Sequence, residues 1–155
     1  MRFLTRPHQL PPRVAAGLII LNSGLTKRSA GEEAAQGLHG MAAGTYPFLK
    51  DVDPVRFVRL LSAAEITLGT ALLVPVVPPL LAGAALTAFA GGLVGLYLRT
   101  PGLREEGSLR PTQQGVAIAK DVWLLGIGAG LVVEEVVRDR SRTVVVTRRR
   151  SSPRL

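Results

Sequence analysis

Four apolar stretches, separated by segments rich in charge, glycine or proline, dominate the hydropathy pattern of this chain. The stretches are Val14–Thr26, Ile66–Pro75, Leu80–Leu98 and Val122–Val133. Because a helix needs about 20 residues to cross the hydrocarbon core of a bilayer, the shorter stretches cross only with polar neighbours included. The pattern predicts an all-α fold, a four-helix transmembrane bundle. Its spans are expected at about residues 11–28, 57–75, 79–98 and 115–136.

The longest uncharged stretch, residues 66–98, contains the proline-rich sequence Pro75-Val76-Val77-Pro78-Pro79. As one helix this stretch would be about 50 Å long, whereas the bilayer core is about 30 Å thick. Prolines end one helix and begin the next. We therefore expect a helical hairpin with a tight, uncharged turn, whose first arm begins near residues 55–57 and contains Glu65.

The segments outside the spans have distinct compositions. The alanine-rich segment Ala30–Ala43 could form a short helix on the membrane surface between the first and second spans. Residues 138–155 are rich in arginine and serine and are expected to form a disordered tail behind a membrane domain of residues 1–137. Glycines in the third and fourth spans, including the Gly91-x-x-x-Gly95 step, predict close helix packing.

A cleaved secretory signal is the alternative for the first stretch, with Arg2 and Arg6 as its positive region. Against it, Asn22, Ser23 and Gly24 interrupt the apolar run, and no clean small-x-small cleavage site follows directly.

Composition agrees with a membrane protein. The chain has 155 residues, of which 47% are hydrophobic and 19% charged, against about 25% charged residues in soluble domains. The net charge is +8, and much of the excess lies in the tail, at Arg138, Arg140, Arg142, Arg148, Arg149, Arg150 and Arg154. Such flanking charge is attracted to anionic lipid and favours both termini in the cytoplasm, with the chain in the cell membrane. No basic stripe with interleaved aromatic residues is present, so nucleic acid is not an expected partner.

Glu65 is the first candidate for a functional residue. It lies ten positions before Pro75, about 15 Å along a helix and therefore near the middle of the bilayer. A carboxylate at that depth should be protonated, paired or turned toward an interior cavity. A packing hydrogen bond, for example to Ser62 or Thr67 or to a neighbouring helix, is the alternative role.

Further candidate site residues are Lys27, Lys120 and Asp121, which the hairpin arrangement places at the same end of the bundle. A Lys27–Glu65 or a Lys120–Glu65 pair is the hypothesis, and simple snorkelling of the lysines to the head groups is the alternative. Because Lys120 and Asp121 are adjacent, they point to different parts of the helix surface and cannot both face one partner equally well.

Several kinds of chemistry are not expected of this chain. The absence of cysteine excludes disulfides, thiol redox chemistry and iron–sulfur ligation by its own residues. His8 and His39 flank the first span, so they should lie on opposite sides of the membrane and cannot jointly hold a haem or a metal. No metal site, phosphate-binding loop, nucleophile triad or evident cofactor site is predicted.

Three short motifs resemble the DoxX family of small four-helix membrane proteins, in an actinobacterial style. They are Arg13-x3-Gly17-x6-Gly24-x2-Lys27 in the first span, Glu65-x3-Gly69 followed by Leu72-Leu73 in the second, and AKDVWLLGIGAG, residues 119–130, in the fourth. The resemblance covers roughly residues 13–137. The proline-rich turn departs from the family, whose members often have a glycine and a basic residue there.

The resemblance implies a membrane subunit of an oxidoreductase or oxidative-stress complex. It also points to redox proteins as partners and to quinone as the candidate cofactor. Carried over by position, the residues of interest are Lys27 and Glu65, followed by Lys120 and Asp121. Two other functions stay open at this point, a small-molecule or proton-coupled transporter that uses Glu65, and a structural membrane anchor. Homo-oligomers and an enzymatic activity of the chain itself are also left open.

Overall fold

The computed structural model describes residues 5–150, with side chains described for residues 5–139. This part of the chain is helical and contains no β-strand beyond an isolated bridge between Arg104 and Pro111. The α-helices are α1 (Leu10–Arg28), α2 (Glu32–Thr45), α3 (Pro54–Leu73), α4 (Pro79–Arg99), the four-residue α5 (Val116–Ala119) and α6 (Val122–Arg150). Short 3₁₀ turns lie at Pro7–Gln9 and Pro47–Leu49. The all-α prediction is therefore confirmed for these residues.

The predicted proline hairpin is confirmed, because α3 ends at Leu73 and α4 begins at Pro79. The other end of α3 is set by Asp53, whose carboxylate accepts a hydrogen bond of 2.8 Å from the backbone N–H of Arg56. Pro54 follows at the first helical position, where its missing N–H costs nothing. A helix in the connection after the first span is likewise present as α2.

Two details of the last span differ from the sequence prediction. The expected continuous helix is interrupted by a turn at Lys120 and Asp121, where short-range bonds such as Asp121 N–H to the Ile118 carbonyl replace the regular α-helical pattern. The tail from residue 138 was expected to be disordered, yet the backbone of α6 stays helical to Arg150. The physical reason is that no glycine or proline lies between Leu131 and Ser152 to end the helix.

The long helices associate as two pairs rather than in chain order. α1 packs mainly on α3, and α4 packs mainly on α6, whereas the sequence neighbours α3 and α4 touch little. The two pairs meet at one apolar cluster that buries side chains of all four helices: Ala16, Ile20, Leu68, Leu72, Ala82, Leu86, Ala90 and Leu124. A smaller cluster joins α2 to the end of α4 and the following loop through Ala42, Leu96, Tyr97 and Leu103.

Glycines allow the close approach within each pair. In the α1–α3 pair, a Cβ on Gly69 would lie 2.7 Å from the backbone nitrogen of Leu21. In the α4–α6 pair, a Cβ on Gly128 would lie 2.7 Å from the backbone nitrogen of Thr87. The glycine packing predicted for the third and fourth spans therefore occurs at Gly83 and Gly128 but not at Gly91, which has open space where a Cβ would stand.

Two helical segments of the described residues are long and apolar enough to cross a membrane, namely α4, Pro79–Arg99, and the segment Val116–Asp139, which comprises α5 and the first part of α6. α1 and α3 are not apolar enough by the same criterion, because each contains three charged residues: Arg13, Lys27 and Arg28 in α1, and Arg56, Arg59 and Glu65 in α3. Both helices nevertheless expose large apolar side chains: Ile19 is 63% exposed and Leu60 is 60% exposed.

Replacing Gly69 with alanine should destabilise the protein, because the added Cβ forces α1 and α3 apart. Overpacking of this kind costs about 1–3 kcal/mol, to be measured by circular dichroism during thermal unfolding in detergent. The matched control is Gly91→Ala, which should leave stability unchanged or raise it by up to about 1 kcal/mol through helix propensity. Equal effects of the two substitutions would contradict the close α1–α3 contact.

Candidate functional site

Lys27 and Glu65 form a buried ion pair between α1 and α3. The Lys27 Nζ atom lies 2.9 Å from Oε1 and 3.0 Å from Oε2 of Glu65, and it donates to Ser23 Oγ at 2.6 Å. The Glu65 side chain is 5% exposed and that of Lys27 is 19% exposed. An ammonium group has three N–H donors, so the three acceptors use all of them.

Close backbone packing brings the two charges together. Gly24 lies nearly one turn before Lys27, and a Cβ there would be 2.9 Å from the Cβ of Glu65. Ser62 donates a 2.7 Å hydrogen bond to the Gly24 carbonyl and so joins the helices at the same level. With α3 held this close, the carboxylate of Glu65 lies within reach of the Lys27 ammonium.

The alternative partners that the sequence offered for Glu65 are used elsewhere. The Ser62 hydroxyl donates to the Gly24 carbonyl, and the Thr67 hydroxyl donates to the Ala63 carbonyl at 2.8 Å. Of the two pairings left open for Glu65, the structure forms the one with Lys27.

Asp121 lies near this pair without a hydrogen bond or ion pair to it, and Lys120 is exposed. Asp121 is partly buried at the turn between α5 and α6, within electrostatic reach of both Lys27 and Glu65. Lys120 is exposed, and no side-chain hydrogen bond or ion pair connects it to the described part of the chain. The structure thus assembles three of the four predicted residues into what we term the polar site: Lys27, Glu65 and Asp121.

The sequence did not indicate the role of Arg13, which is fully buried. Its guanidinium donates to the carbonyls of Leu72 at 2.9 Å, Ala71 at 2.8 Å, Val74 at 3.1 Å and Val77 at 3.2 Å. The last carbonyls of a helix have no partner within it and favour a positive charge. Arg13 therefore supplies the cap of α3 from a different helix and also holds the proline-rich turn.

The signal that could have revealed this role is spacing. One face of the first helix is marked by residues at intervals of four, seven and three positions: Arg13, Gly17, Gly24 and Lys27. A face composed of two glycines between two cations is a packing surface that must meet carbonyls and carboxylates on its partner.

A second polar cluster, also missed, ties the N-terminal segment to α6. Arg6 forms ion pairs with Glu134 and with Glu135, the latter at 2.9 Å. The buried Gln9 donates to Glu134 at 2.8 Å, and His8 lies 2.8 Å from the same carboxylate. At the same end, the Thr5 hydroxyl donates to the Pro75 carbonyl at 2.9 Å.

The second histidine, His39, has a packing role. Its Nε2 atom lies 2.9 Å from the Leu49 carbonyl, and its ring meets the ring of Phe57 edge to face. Residues 5–139 contain no group of three or more side chains suited to hold a metal ion.

The polar site does not suit a quinone head group in the arrangement seen here. A quinone carbonyl requires a hydrogen-bond donor, yet every N–H of Lys27 already has an acceptor. The hydroxyls of Ser62 and Thr67 donate to backbone carbonyls. We therefore derive no reaction step through a quinone at this site.

Comparison with known proteins leaves the family open. No family model matches the chain, and no curated protein or solved structure matches it either. Membership of the DoxX family therefore stays a prediction that rests on the short motifs alone.

A double-mutant cycle tests the ion pair. Lys27→Met and Glu65→Leu should each lower the free energy of unfolding by about 3–5 kcal/mol, because each leaves a buried charge without its partner. The double variant should lose much less than the sum of the two. Unfolding in a denaturing detergent, followed by circular dichroism, measures all three variants.

The control for this cycle is Lys120→Met, which removes an exposed lysine and should change stability by no more than about 0.5 kcal/mol. Additive losses in the double variant would show that Lys27 and Glu65 do not interact energetically.

Proposed function

We propose that this chain is a four-span integral membrane protein whose spans are α1, α3, α4 and the α5–α6 segment. The main support is the distribution of polarity in α1 and α3. Arg13 and Glu65 are buried, whereas Ile19 and Leu60 are largely exposed. A protein in water arranges these residue types the other way round, and a protein in lipid turns its charges inward.

α4 and the α5–α6 segment support the same proposal. Only 33% of the most apolar window of α4, and 17% of that of the α5–α6 segment, is buried inside the protein. Exposed apolar surface on this scale needs lipid or a partner to cover it. The mean hydropathy of α1 and α3 is lowered by charges, of which Arg13, Lys27 and Glu65 are held within the bundle, whereas Arg28, Arg56 and Arg59 are exposed near the helix ends.

A cysteine-free chain allows this topology to be measured directly. Single cysteines at Val76, in the α3–α4 turn, and at Glu106, in the α4–α5 loop, should react with an impermeant maleimide from opposite sides of the membrane. With both termini in the cytoplasm, Glu106→Cys should label in intact cells and Val76→Cys only after permeabilisation. Both should label equally in detergent.

The same cells provide the test of membrane integration. The protein should stay in the membrane fraction in alkaline carbonate and leave it only with detergent. Release by carbonate, or labelling of both cysteines from one side, would contradict four crossings.

As to activity, we propose a membrane subunit of DoxX type in an oxidoreductase or oxidative-stress complex, acting through partner proteins, because the three short motifs resemble that family. The observation that carries this proposal is saturation of the buried charges: Arg13 is held by four carbonyls and Lys27 by three acceptors. Such groups stabilise a fixed bundle. Because the chain has no cysteine, a thiol or iron–sulfur step would occur on a partner.

One observation favours a second candidate, a transporter or small-molecule binder. Asp121 is an additional carboxylate beside the Lys27–Glu65 pair, within electrostatic reach of Lys27. Two carboxylates and one ammonium leave one negative charge in excess, and a proton or a cation could neutralise it.

Purification from native membranes in mild detergent separates the two functions. A subunit should copurify with a redox enzyme, identified by mass spectrometry, and Lys120→Gln should retain that enzyme. A transporter should instead show flux in liposomes that Glu65→Gln abolishes. Recovery of the chain alone, or as a homo-oligomer, without any redox protein would count against the subunit.

A further inference from the structure

A continuous groove runs along the outer face of α3, and neither proposed function uses it. It consists of two recesses that share Ala63 and Thr67. One recess, of about 480 Å³, has Arg28 and Arg59 at its edge. The other, of about 570 Å³, lies between α3 and α4, which touch little. We refer to the two together as the α3 groove.

The two arginines form a positively charged end of this groove. Both are exposed, and neither guanidinium has a carboxylate or hydrogen-bond partner in the part of the chain that the structure describes. Arg6 and Arg13, by contrast, are fully engaged by carboxylates and carbonyls. Arg28 is the last residue of α1 and Arg59 lies in the second turn of α3, so both belong to the end of the bundle where the polar connections begin.

The rest of the groove is mostly apolar and follows α3 toward the proline-rich turn. Its walls include Ala71, Leu81 and Phe89. The distance along α3 from Arg59 to Ala71 is about 18 Å at 1.5 Å per residue. Alanines on the floor leave room for a chain to lie flat against the helix.

We propose that the α3 groove binds one anionic phospholipid, with its phosphate on Arg28 and Arg59 and an acyl chain along Ala63, Thr67 and Ala71. Guanidinium groups bind phosphate oxygens through paired hydrogen bonds as well as charge. An apolar channel that begins at two unpaired cations matches an amphiphile with a negative head. The inference rests on the membrane assignment proposed above.

Native mass spectrometry of the full chain in mild detergent tests this proposal, with phosphatidylglycerol and phosphatidylcholine of identical acyl chains as probes. Phosphatidylglycerol should bind more tightly. Arg28→Gln with Arg59→Gln should weaken its binding roughly 25-fold, at about fivefold for each arginine, and leave phosphatidylcholine unchanged. The control with the same loss of charge is Arg99→Gln with Arg110→Gln, two arginines outside the groove, which should leave the preference intact.

The apolar part of the groove has its own variant. Ala71→Phe fills the channel and should weaken both lipids, while circular dichroism verifies that the bundle still forms. Equal affinity for the two lipids, or competition by inorganic phosphate as strong as that by phosphatidylglycerol, would overturn the proposal. Loss of the preference for phosphatidylglycerol in the Arg99→Gln, Arg110→Gln control would also overturn it.

The membrane assignment and the lipid site fail in different ways. Release of the protein by alkaline carbonate would remove both. A protein that needs detergent yet shows no phosphatidylglycerol preference would remove the lipid site alone.

Discussion

The contact between Arg13 and the end of α3 is the constraint on which the bundle depends. One guanidinium satisfies the carbonyls of Leu72, Ala71, Val74 and Val77, which are the exposed acceptors of a helix end and of the turn after it. Buried acceptors of this kind need a partner within the protein. The same contact fixes the register of α1 against α3, so that the glycines meet backbone and Lys27, fourteen residues further along, meets Glu65. The polar site is therefore a consequence of a cap formed near the other end of the same helix pair.

The pairing of helices by polar and small residues explains an apparent conflict between composition and architecture. In α1 and α3 the charges of Arg13, Lys27 and Glu65 are held between the two helices, and apolar side chains such as Ile19 and Leu60 are exposed. α4 and the stretch Val122–Val133 of α6, which contain one charged residue between them, pack through Gly83 and Gly128 and leave most of their surface uncovered. Hydropathy averaged along a helix cannot separate these cases, since it ignores which face each side chain occupies.

The sequence alone predicts those features of the fold that depend on residues close together in the chain. The proline-rich turn, the helix in the first connection and the uncharged arms follow from residues that act on their own neighbours, and each appears in the structure. It was insufficient where partners lie far apart in the chain. From the sequence, Arg13 looks like an ordinary charge flanking a helix, because its carbonyl acceptors lie 58 to 64 residues away in the chain. The choice of Lys27 over Lys120 for Glu65, and the loose contact of α3 with α4, likewise depend on which helix surfaces meet.

The order in which the pairs form along the chain has a consequence for biogenesis. Arg13 is synthesised 58 residues before Ala71, the first of its carbonyl acceptors in the chain, and Lys27 precedes Glu65 by 38 residues. In the proposed membrane topology, α1 therefore carries two cations without their partners until α3 has been made, and an unpaired charge is costly in lipid. The α1–α3 unit, rather than α1 alone, would then be what inserts stably, and the α2 segment would be the connection that lets these two stretches enter the bilayer together.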